Sequence, residues 1–281
     1  MKKILKQISQ RMLVGIYDDV KEAEEKLRNS DIPFNEVGID NYGISINHLK
    51  ALYPVIKLLY RHYFQIKCFG IENVPDRGRA MLVGNHSGGL PVDGTMVAAS
   101  MILDHDPPRF AIGMVDKFAQ KMPVVSSMLS RTGQVTGLRE QATRLLEEER
   151  LLMIFPEGIK GIGKLYKDRY NMAEFTHGFM HLAIKTKAPI IPFAFIGGEE
   201  AIPTVYHAKK LGNLLGAPYF PVTPYVLPLP RPISCRIYFG EPMLYESGES
   251  YEEIDNQVME VKNKVDELIK RGLEERQKEE Q

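Results

Sequence analysis

Residues 79–103 read "RAMLVGNHSGGLPVDGTMVAASMIL", which is an apolar run, a glycine-rich break and a second apolar run. The first run is typical of a buried strand. The second has the length of a helix and follows Pro91, a residue favoured at the first position of a helix. A strand that ends in a turn directly before a helix is the repeating unit of α/β proteins, so this stretch predicts an α/β fold.

The same alternation continues on both sides of this stretch. The preceding "YFQIKCFGIENVP" alternates as a strand, and the later "LLMIF" and "PIIPFAFI" are apolar runs typical of buried strands. Helical patterns separate them, at 139–149 and in "FTHGFMHLAIKT". Continuous apolar strands between helices predict a mainly parallel sheet flanked by helices on both faces. In such sheets ligands bind where strands end and helices begin, which is where "GNHSGGLPVDG" lies.

The two ends of the chain predict helices. From Ile4 to Val20 apolar residues recur at every fourth position, which predicts an added N-terminal amphipathic helix. Its first half is basic, so the helix either lies on anionic lipid or packs on the domain. We divide the chain into 1–45, this helix and a linker, and 46–281, the main domain. Helical spacing continues over 251–273, and the final "EERQKEEQ" is expected to fray into solvent.

Composition narrows the class of protein. The 281 residues are 44% hydrophobic, enough for one large domain or two small ones, and 36 basic residues balance 36 acidic ones. The chain therefore has no excess of positive charge that would attract nucleic acid. Cys68 and Cys235 lack metal-ligand spacing and are expected to be buried, reduced thiols in a cytoplasmic protein. No apolar stretch is long enough to span a bilayer, so we expect peripheral membrane contact at most.

His86 and Asp93 are the candidate catalytic pair. On a continuous helix they would lie about 10 Å apart, too far for a hydrogen bond. A loop through Gly88 and Gly89 would instead let the carboxylate reach the imidazole and orient it as a general base. The alternatives are a histidine that merely occupies a turn and an acid that complements a helix N-terminus. From this stretch alone both interpretations remain open.

The run "LLMIFPEGIKGIGK" places Glu157, Gly158 and Lys160 in a loop after a buried strand, where backbone amides and a lysine suit an anion. The spacing from Gly158 to Lys164 also fits a phosphate-loop pattern for nucleotides. Leu165 occupies the position of the magnesium-binding hydroxyl, which departs from that pattern. In "SRTGQVTGLRE", Arg139 is a candidate phosphate ligand or a charge at a helix start.

Three other patterns carry less information. His177 and His181 have a zinc-ligand spacing without the glutamate of a zinc protease, so we expect no metal site there. No serine lies in a Gly-x-Ser-x-Gly turn, which argues against a serine esterase. The stretch "LGNLLGAPYFPVTPYVLPLPRP" is too rich in proline for long regular elements, and forms either a packed loop or a wall for an apolar ligand.

Four blocks, "GNHSGGLPVDG", "GQVTGLR", "FPEGIKG" and "IIPFAF", resemble in order and spacing those of the glycerolipid acyltransferases, the lysophosphatidic acid acyltransferase-like superfamily. The phrases "NHSGGLPVDG", "RYNMAEFTHGF" and "PYFPVTP" are most similar to a bacterial branch related to mono- and diacylglycerol acyltransferases. The resemblance covers about residues 46–273 and leaves the N-terminal helix unexplained.

The resemblance implies a role for each candidate residue. His86 would be the general base and Asp93 its orienting acid, although the family's His-x4-Asp is His-x6-Asp here. The implied substrate contacts are Arg139 to an acceptor phosphate, Glu157 and Gly158 to the acceptor, Pro192 near the acyl donor, and Asn85 beside the base. Lys160 replaces an arginine of the family pattern, which favours a neutral alcohol as acceptor over a phosphorylated one.

These features lead to three hypotheses. The first is an acyltransferase that moves a fatty acyl group from acyl-CoA or acyl carrier protein to a lipid or glycerolipid hydroxyl, with no cofactor and no covalent intermediate. It would work at a membrane face through "HLKALYPVIKLLY", the N-terminal helix or the "PYFPVTP" loop. The second is a phosphate-loop nucleotide enzyme that uses Lys164. The third is a non-catalytic lipid-binding protein of the same fold.

Overall fold

The computed structural model of the chain describes residues 2–115, 125–214, 219–227, 229–248 and 250–279, with the side chains of 2–13 and of 125 left aside. The helix-like segment expected after "RFAIG" falls largely on 116–124, and Pro218 of "PYFPVTP" falls on 215–218, both outside the described residues. The basic side chains expected on the first half of the N-terminal helix also lie outside this set.

Helices and strands alternate through most of the described chain. The helices are α1 Lys2–Asn29, α2 Ile46–Leu58, α3 Val92–Leu103, α4 Val125–Arg131, α5 Arg139–Glu147, α6 Gly158–Ile162, α7 Gly178–Thr186, α8 Gly198–Ala201, α9 Lys209–Leu214 and α10 Tyr251–Glu279. The strands are β1 Lys67–Phe69, β2 Ala80–Gly84, β3 Ala111–Val115, β4 Gln134–Thr136, β5 Leu151–Ile154, β6 Ile190–Ile196, β7 Tyr206–Ala208, β8 Phe220–Val222 and β9 Arg236–Phe239.

Seven strands form one sheet in the order β1-β9-β6-β2-β5-β3-β4, and β7 pairs with β8 in a separate antiparallel hairpin. The strands β6, β2, β5, β3 and β4 are mutually parallel, while β9 is antiparallel to β6. The mainly parallel α/β sheet with an added N-terminal helix is confirmed. The carboxyl ends of the parallel strands share one edge, and β2 lies between β6 and β5 at that edge.

The central strands are buried because their sequences are apolar at every position. All five residues of β2 and all seven of β6 are buried. Pro192 lies inside β6, where a proline normally breaks the ladder. It is accepted because β9 ends at Phe239, so the missing N–H faces no strand partner, and the Pro192 carbonyl accepts the Gly240 N–H at 2.7 Å.

Two sequence expectations were wrong in extent. The strand expected in "YFQIKCFGIENVP" is limited to the three residues of β1, because a π-helical turn at Leu59–Tyr63 precedes it and Gly70 ends it. The C-terminal "EERQKEEQ" does not fray at its start, since α10 continues to Glu279. There Glu275 accepts from the Tyr238 hydroxyl and Arg276 binds Glu200, so tertiary contacts hold the last turns.

The N-terminal helix packs on the rest of the chain. From residue 14 onward α1 lies against α2, where Lys57 binds Asp19 and Glu22. Leu27 and Ile44 belong to the same buried core as the sheet. α2 starts at residue 46, but the division of the chain into 1–45 and 46–281 stays a prediction. No helix in the described part of the chain is long and apolar enough to cross a bilayer.

Candidate active site

His86 and Asp93 meet at the end of β2. Nδ1 of His86 lies 2.7 Å from Oδ2 of Asp93. The loop that joins them turns through Gly88 and Gly89, with φ of +86° and +69°, a conformation that side chains disfavour. A carboxylate only accepts hydrogen bonds, so Nδ1 carries the proton and Nε2 is left with its lone pair. The two extra residues of spacing are thus absorbed by the glycine turn.

Asp93 is held in place by more than the histidine. Its carboxylate is fully buried, and Oδ2 also accepts the backbone N–H of Ser87 at 2.7 Å. It is the second residue of α3, where the helix dipole favours a negative charge. Both interpretations of this residue therefore describe the same position. The helix N-terminus stabilises the carboxylate that orients His86.

The His86 ring presents only one side to solvent. It stacks on Phe155, with ring centroids 4.2 Å apart, and 13% of the side chain is exposed. Gly161 packs behind it, since a Cβ there would lie 3.0 Å from His86 Cβ. Within the described ranges Nε2 has no hydrogen-bond partner. The arrangement leaves a fixed imidazole with one free basic nitrogen at the sheet edge.

Glu157 lies beneath this loop and does not face solvent. Its buried carboxylate accepts the backbone N–H of His86 at 2.9 Å and that of Ala173 at 2.6 Å, and it pairs with Lys164 at 3.2 Å. The contacts predicted from sequence for Glu157 were with the acceptor. In the structure it fixes the backbone of His86.

The geometry gives no support to a phosphate loop. Gly158–Ile162 is the short helix α6, and Lys164 comes after it rather than in the first turn of a following helix. Only 7% of the Lys164 side chain is exposed, and its ammonium group binds Glu157. The lysine of the nucleotide hypothesis is therefore committed to an internal ion pair.

Glu199, which the sequence analysis missed, completes a buried cluster of charges. One of its oxygens lies 3.7 Å from Lys164 Nζ, and the other has no hydrogen-bond partner among the described residues. Burial raises the pKa of this carboxyl, and the nearby Asp93 adds to the effect, while Lys164 opposes it. Its position directly after the buried strand β6 was the available signal, since β6 ends at the same edge as β2.

A second ion pair ties the C-terminal helix to this edge. Arg276 of α10 binds both oxygens of Glu200, at 2.6 and 2.7 Å. The Tyr170 hydroxyl also donates to Glu200, at 2.9 Å, and accepts the Gly197 N–H. Hydrogen bonds to Glu200 raise the pKa of Arg276. Tyr170 belongs to the stretch "RYNMAEFTHGF", which resembles the family, but the sequence did not indicate which residues it would contact.

The other predicted site residues are placed differently. Gly158 and Lys160 are exposed and line a hollow of about 450 Å³ with Phe175 and His177, among others. Arg139 is exposed at the start of α5, on the same edge but three strands from β2. The distance across that gap is about 14 Å at the usual strand spacing. Arg139 is thus not part of the His86 cluster.

Asn85 and Pro192 are interior residues. The Asn85 amide bonds both the N–H and the C=O of Phe195, at 2.8 and 3.0 Å, and so joins β2 to β6 beyond their ladder. Pro192 pairs in register with Val83, below the level of His86. Substrate contact by either residue stays a prediction that these contacts do not support.

Neither cysteine is suited to carry an acyl group. Cys235 is buried and Cys68 partly so. Burial raises the pKa of each thiol to about 12, far above neutral pH. A thiol that stays protonated is a weak nucleophile, in keeping with the reduced, unreactive state expected from the sequence.

Comparison with known proteins identifies the family to which the chain belongs. A family model described as Acyltransferase matches residues 65–196. An uncharacterized protein of Mycobacterium tuberculosis is 34% identical over 248 residues, 85% of this chain and 69% of that protein. The human DGAT1/2-independent enzyme synthesizing storage lipids is 27% identical over 210 residues, 71% of this chain and 59% of the enzyme. The chain belongs to the glycerolipid acyltransferase superfamily.

The fold of this acyltransferase also has a solved counterpart. The 1-acyl-sn-glycerophosphate (LPA) acyltransferase PlsC of Thermotoga maritima superposes with a TM-score of 0.51 at 19% identity, over 79% of this chain and 80% of that one. The family match spans β1 to β6 and so includes His86, Asp93, Arg139 and Glu157. Family membership makes acyl transfer to a lipid the reaction class of the protein, with an acyl donor and a lipid acceptor as its substrate classes.

Proposed function

We propose that this acyltransferase moves a fatty acyl group from a thioester, on coenzyme A or acyl carrier protein, to the hydroxyl of a lipid or glycerolipid. The observation that carries the proposal is the buried contact of His86 with Asp93, which leaves Nε2 free to accept a proton. As the acceptor oxygen attacks the thioester carbonyl, its proton passes to Nε2. When the tetrahedral intermediate collapses, the leaving thiolate takes that proton, and the products are an ester and a free thiol.

The oxyanion of that intermediate needs donors from the loop. The N–H groups of His86, Ser87 and Gly89 already bind Glu157, Asp93 and the Ile162 carbonyl. Among the described residues the Gly88 N–H makes no hydrogen bond, so we assign it as an oxyanion donor. No side chain is acylated in this scheme.

The acceptor we favour is a neutral alcohol. A phosphorylated acceptor would need cations close to His86, but Lys164 is paired internally and Arg139 lies three strands away. Lys160 is exposed and supplies a point charge rather than a bidentate ligand. Both substrates carry long apolar chains, so we also propose that the protein works at a membrane surface.

Thiol release tests the reaction. The purified protein is incubated with long-chain acyl-CoA and a panel of alcohols, and free thiol is followed with time. We expect acceptor-dependent release that falls by about 10³-fold or more in His86→Ala, because the general base is gone. His181→Ala removes an exposed histidine of α7 and should keep the full rate. Full activity in folded His86→Ala would rule out this mechanism.

A non-catalytic lipid-binding protein remains the second candidate, because the hollow beside Lys160 and Phe175 is large enough for part of a lipid. Lipid binding without thiol release for any acceptor in the panel would favour it. A preference for phosphorylated acceptors, lost in Arg139→Ala, would contradict the neutral acceptor.

A further inference from the structure

The hairpin of β7 and β8 carries a group of exposed apolar side chains. They are 40–67% exposed, and we call them the hairpin surface: Val205, Tyr206, Tyr225, Val226, Leu227 and Leu229. Val226 also has a φ of +74°, a left-handed conformation that is unusual for a β-branched residue. The turn that holds this conformation is closed by the Val226 N–H, which donates to the Thr223 carbonyl at 2.9 Å.

Hydrogen bonds bring these residues together. The Val205 N–H donates to the Val222 carbonyl at 2.9 Å, which joins the start of β7 to the end of β8. The turn that follows β8 is closed by a bridge between Thr223 and Val226. The Tyr225 hydroxyl donates to the Leu229 carbonyl at 2.7 Å. The hairpin surface is therefore one end of a single small structural unit.

The segment that contains the hairpin carries no acidic side chain. Residues 201–240 contain no aspartate or glutamate, although the chain has 36 acidic residues. Lys209 and Lys210 are exposed at the start of α9, and Leu214 at its end is 82% exposed. Apolar side chains with lysines and without acids are complementary to an anionic lipid surface.

The hairpin also touches the loop of the candidate active site. Gly89 packs against it so closely that a Cβ there would lie 2.9 Å from Thr204 Oγ1 and 3.1 Å from Pro221 Cβ. The Tyr166 N–H, beyond Lys164, donates to the Thr204 carbonyl at 2.8 Å. The structural unit that carries the hairpin surface is thus packed directly on the turn that carries His86.

A second exposed apolar group lies on the helix pair α1 and α2, at Val55 and Leu58 among others. The segment between these two helices is tethered at the opposite edge of the sheet, where Asp31 pairs with Arg109 before β3 and Asp40 pairs with Arg150 before β5. Acidic side chains of α1 lie beside this apolar group, and one of them, Asp19, pairs with Lys57 of α2. This group is less suited to deliver a lipid to His86.

We propose that the hairpin surface is the part of the protein that docks on an anionic bilayer and passes lipid to the loop of His86. The inference rests on the proposed function, since it concerns how that reaction obtains its lipid substrate. Docking itself needs no catalysis and is measured without it.

Sedimentation with lipid vesicles tests the proposal on the full chain. The probes are vesicles of phosphatidylcholine with phosphatidylglycerol, and vesicles of phosphatidylcholine alone. Leu227→Glu/Leu229→Glu should lower the affinity for the anionic vesicles about tenfold, because two side chains that would enter the lipid become charged. Lys209→Glu/Lys210→Glu should remove the preference for anionic over neutral vesicles.

The matched control is Val55→Glu/Leu58→Glu, which charges two aliphatic side chains of similar exposure on α2. It should change vesicle affinity by less than about twofold. Thermal unfolding is measured for each variant, and the lysine variant gives an independent answer if the leucine variant is unstable. Loss of binding in the α2 variant with full binding in both hairpin variants would overturn the proposal.

His86→Ala separates this inference from the proposed function. It should bind vesicles like the unchanged protein even when thiol release is lost. Unimpaired binding of both hairpin variants defeats the docking surface and leaves the chemistry standing, whereas unimpaired turnover in His86→Ala defeats the chemistry and leaves docking standing.

Discussion

At the scale of single residues, two lysines four positions apart differ in burial and in ion pairing, which the sequence does not show. Lys160 and Lys164 both follow "FPEG" and both were candidate anion ligands. Lys160 is exposed, whereas Lys164 is buried against Glu157 and Glu199. A buried ion pair that loses one partner leaves an uncompensated charge.

We expect Lys164→Met to lower the free energy of unfolding by about 3–5 kcal/mol, because Glu157 would stay buried without its cation. Denaturant unfolding measures this change. Lys160→Met, four residues earlier, is the control and should change stability by less than about 0.5 kcal/mol. An effect of Lys164→Met on the unfolding free energy as small as that of Lys160→Met would show that the ion pair contributes no stability.

Asp93→Asn should lower the rate of thiol release by about 10²- to 10⁴-fold, because an amide no longer holds the His86 proton on Nδ1. The steady-state rate with saturating acceptor checks this, and thermal unfolding verifies the fold. Asp255→Asn, which removes an exposed carboxylate that pairs with His177, should leave the rate unchanged. An unaffected rate in Asp93→Asn would reduce Asp93 to a helix-terminal charge.

Glu199 gives the protein a predictable response to pH. Burial raises its pKa above the usual 4.5 of an unfolded chain. Its contribution to stability is then fully present below pH 4.5 and is lost as the pH rises through the folded pKa. Glu199→Gln keeps the shape of the protonated acid without its titration, so it should match the unchanged protein near pH 4.5 and exceed it at neutral pH.

The expected gain is about 1.4 kcal/mol for each unit by which the pKa is raised. Denaturant unfolding at several pH values measures it. A stability difference that does not change with pH would mean that Glu199 is ionised throughout, held by Lys164.

At the scale of elements, the turn between β2 and α3 depends on two glycines. Gly88 and Gly89 have positive φ, and a Cβ on Gly88 would lie 2.8 Å from the Gly198 carbonyl oxygen. Gly88→Ala should therefore lower the unfolding free energy by about 2 kcal/mol and slow thiol release, since the turn brings Asp93 to His86.

The matched control is Gly178→Ala at the start of α7, where a Cβ would have no neighbour within 4 Å. It should leave the rate unchanged and alter stability by less than about 1 kcal/mol. Unfolding and thiol release are measured for both. A Gly88→Ala protein with full stability and rate would show that the turn tolerates a side chain.

At the scale of the whole molecule, the N-terminal segment is fastened by buried ion pairs. Arg109 is fully buried and binds Asp31 at 3.1 Å, and it also donates to two backbone carbonyls. Burial lowers the pKa of this guanidinium, while Asp31 opposes the shift. The buried, charged guanidinium therefore depends on Asp31, a residue of the N-terminal segment, for its compensating charge.

Asp31→Asn should cost about 3 kcal/mol of unfolding free energy, because Arg109 stays charged and buried. Thermal and denaturant unfolding measure this, and exposed Asp255→Asn is again the control, with little effect expected. Unchanged stability in Asp31→Asn would mean that the ion pair with Arg109 does not hold the N-terminal segment on the fold.

The sequence predicted which helices and strands form better than it predicted the residues at which they begin and end. Apolar runs gave β2, β5 and β6 because a strand buried on both faces has no polar position, a property visible in a few residues. Pro91 and Asp93 located the start of α3 to within one residue. The extent of β1 was wrong because the neighbouring π-helical turn and Gly70 limit the strand. The end of α10 was wrong because a contact with a distant residue, Arg276 to Glu200, holds its last turns.

By itself, the sequence determined the α/β class and the four blocks of the family, because each depends on spacing within a short segment. It offered His86 and Asp93 only as a candidate pair, and the structure supplied the contact between them. Only the tertiary structure decided what surrounds that pair. The strand order sets β2 between β5 and β6, so Glu157 accepts the His86 N–H across 71 residues of chain. Lys164 then lies between the buried carboxylates of Glu157 and Glu199. Burial and pairing depend on which strands become neighbours, and no local pattern encodes that choice.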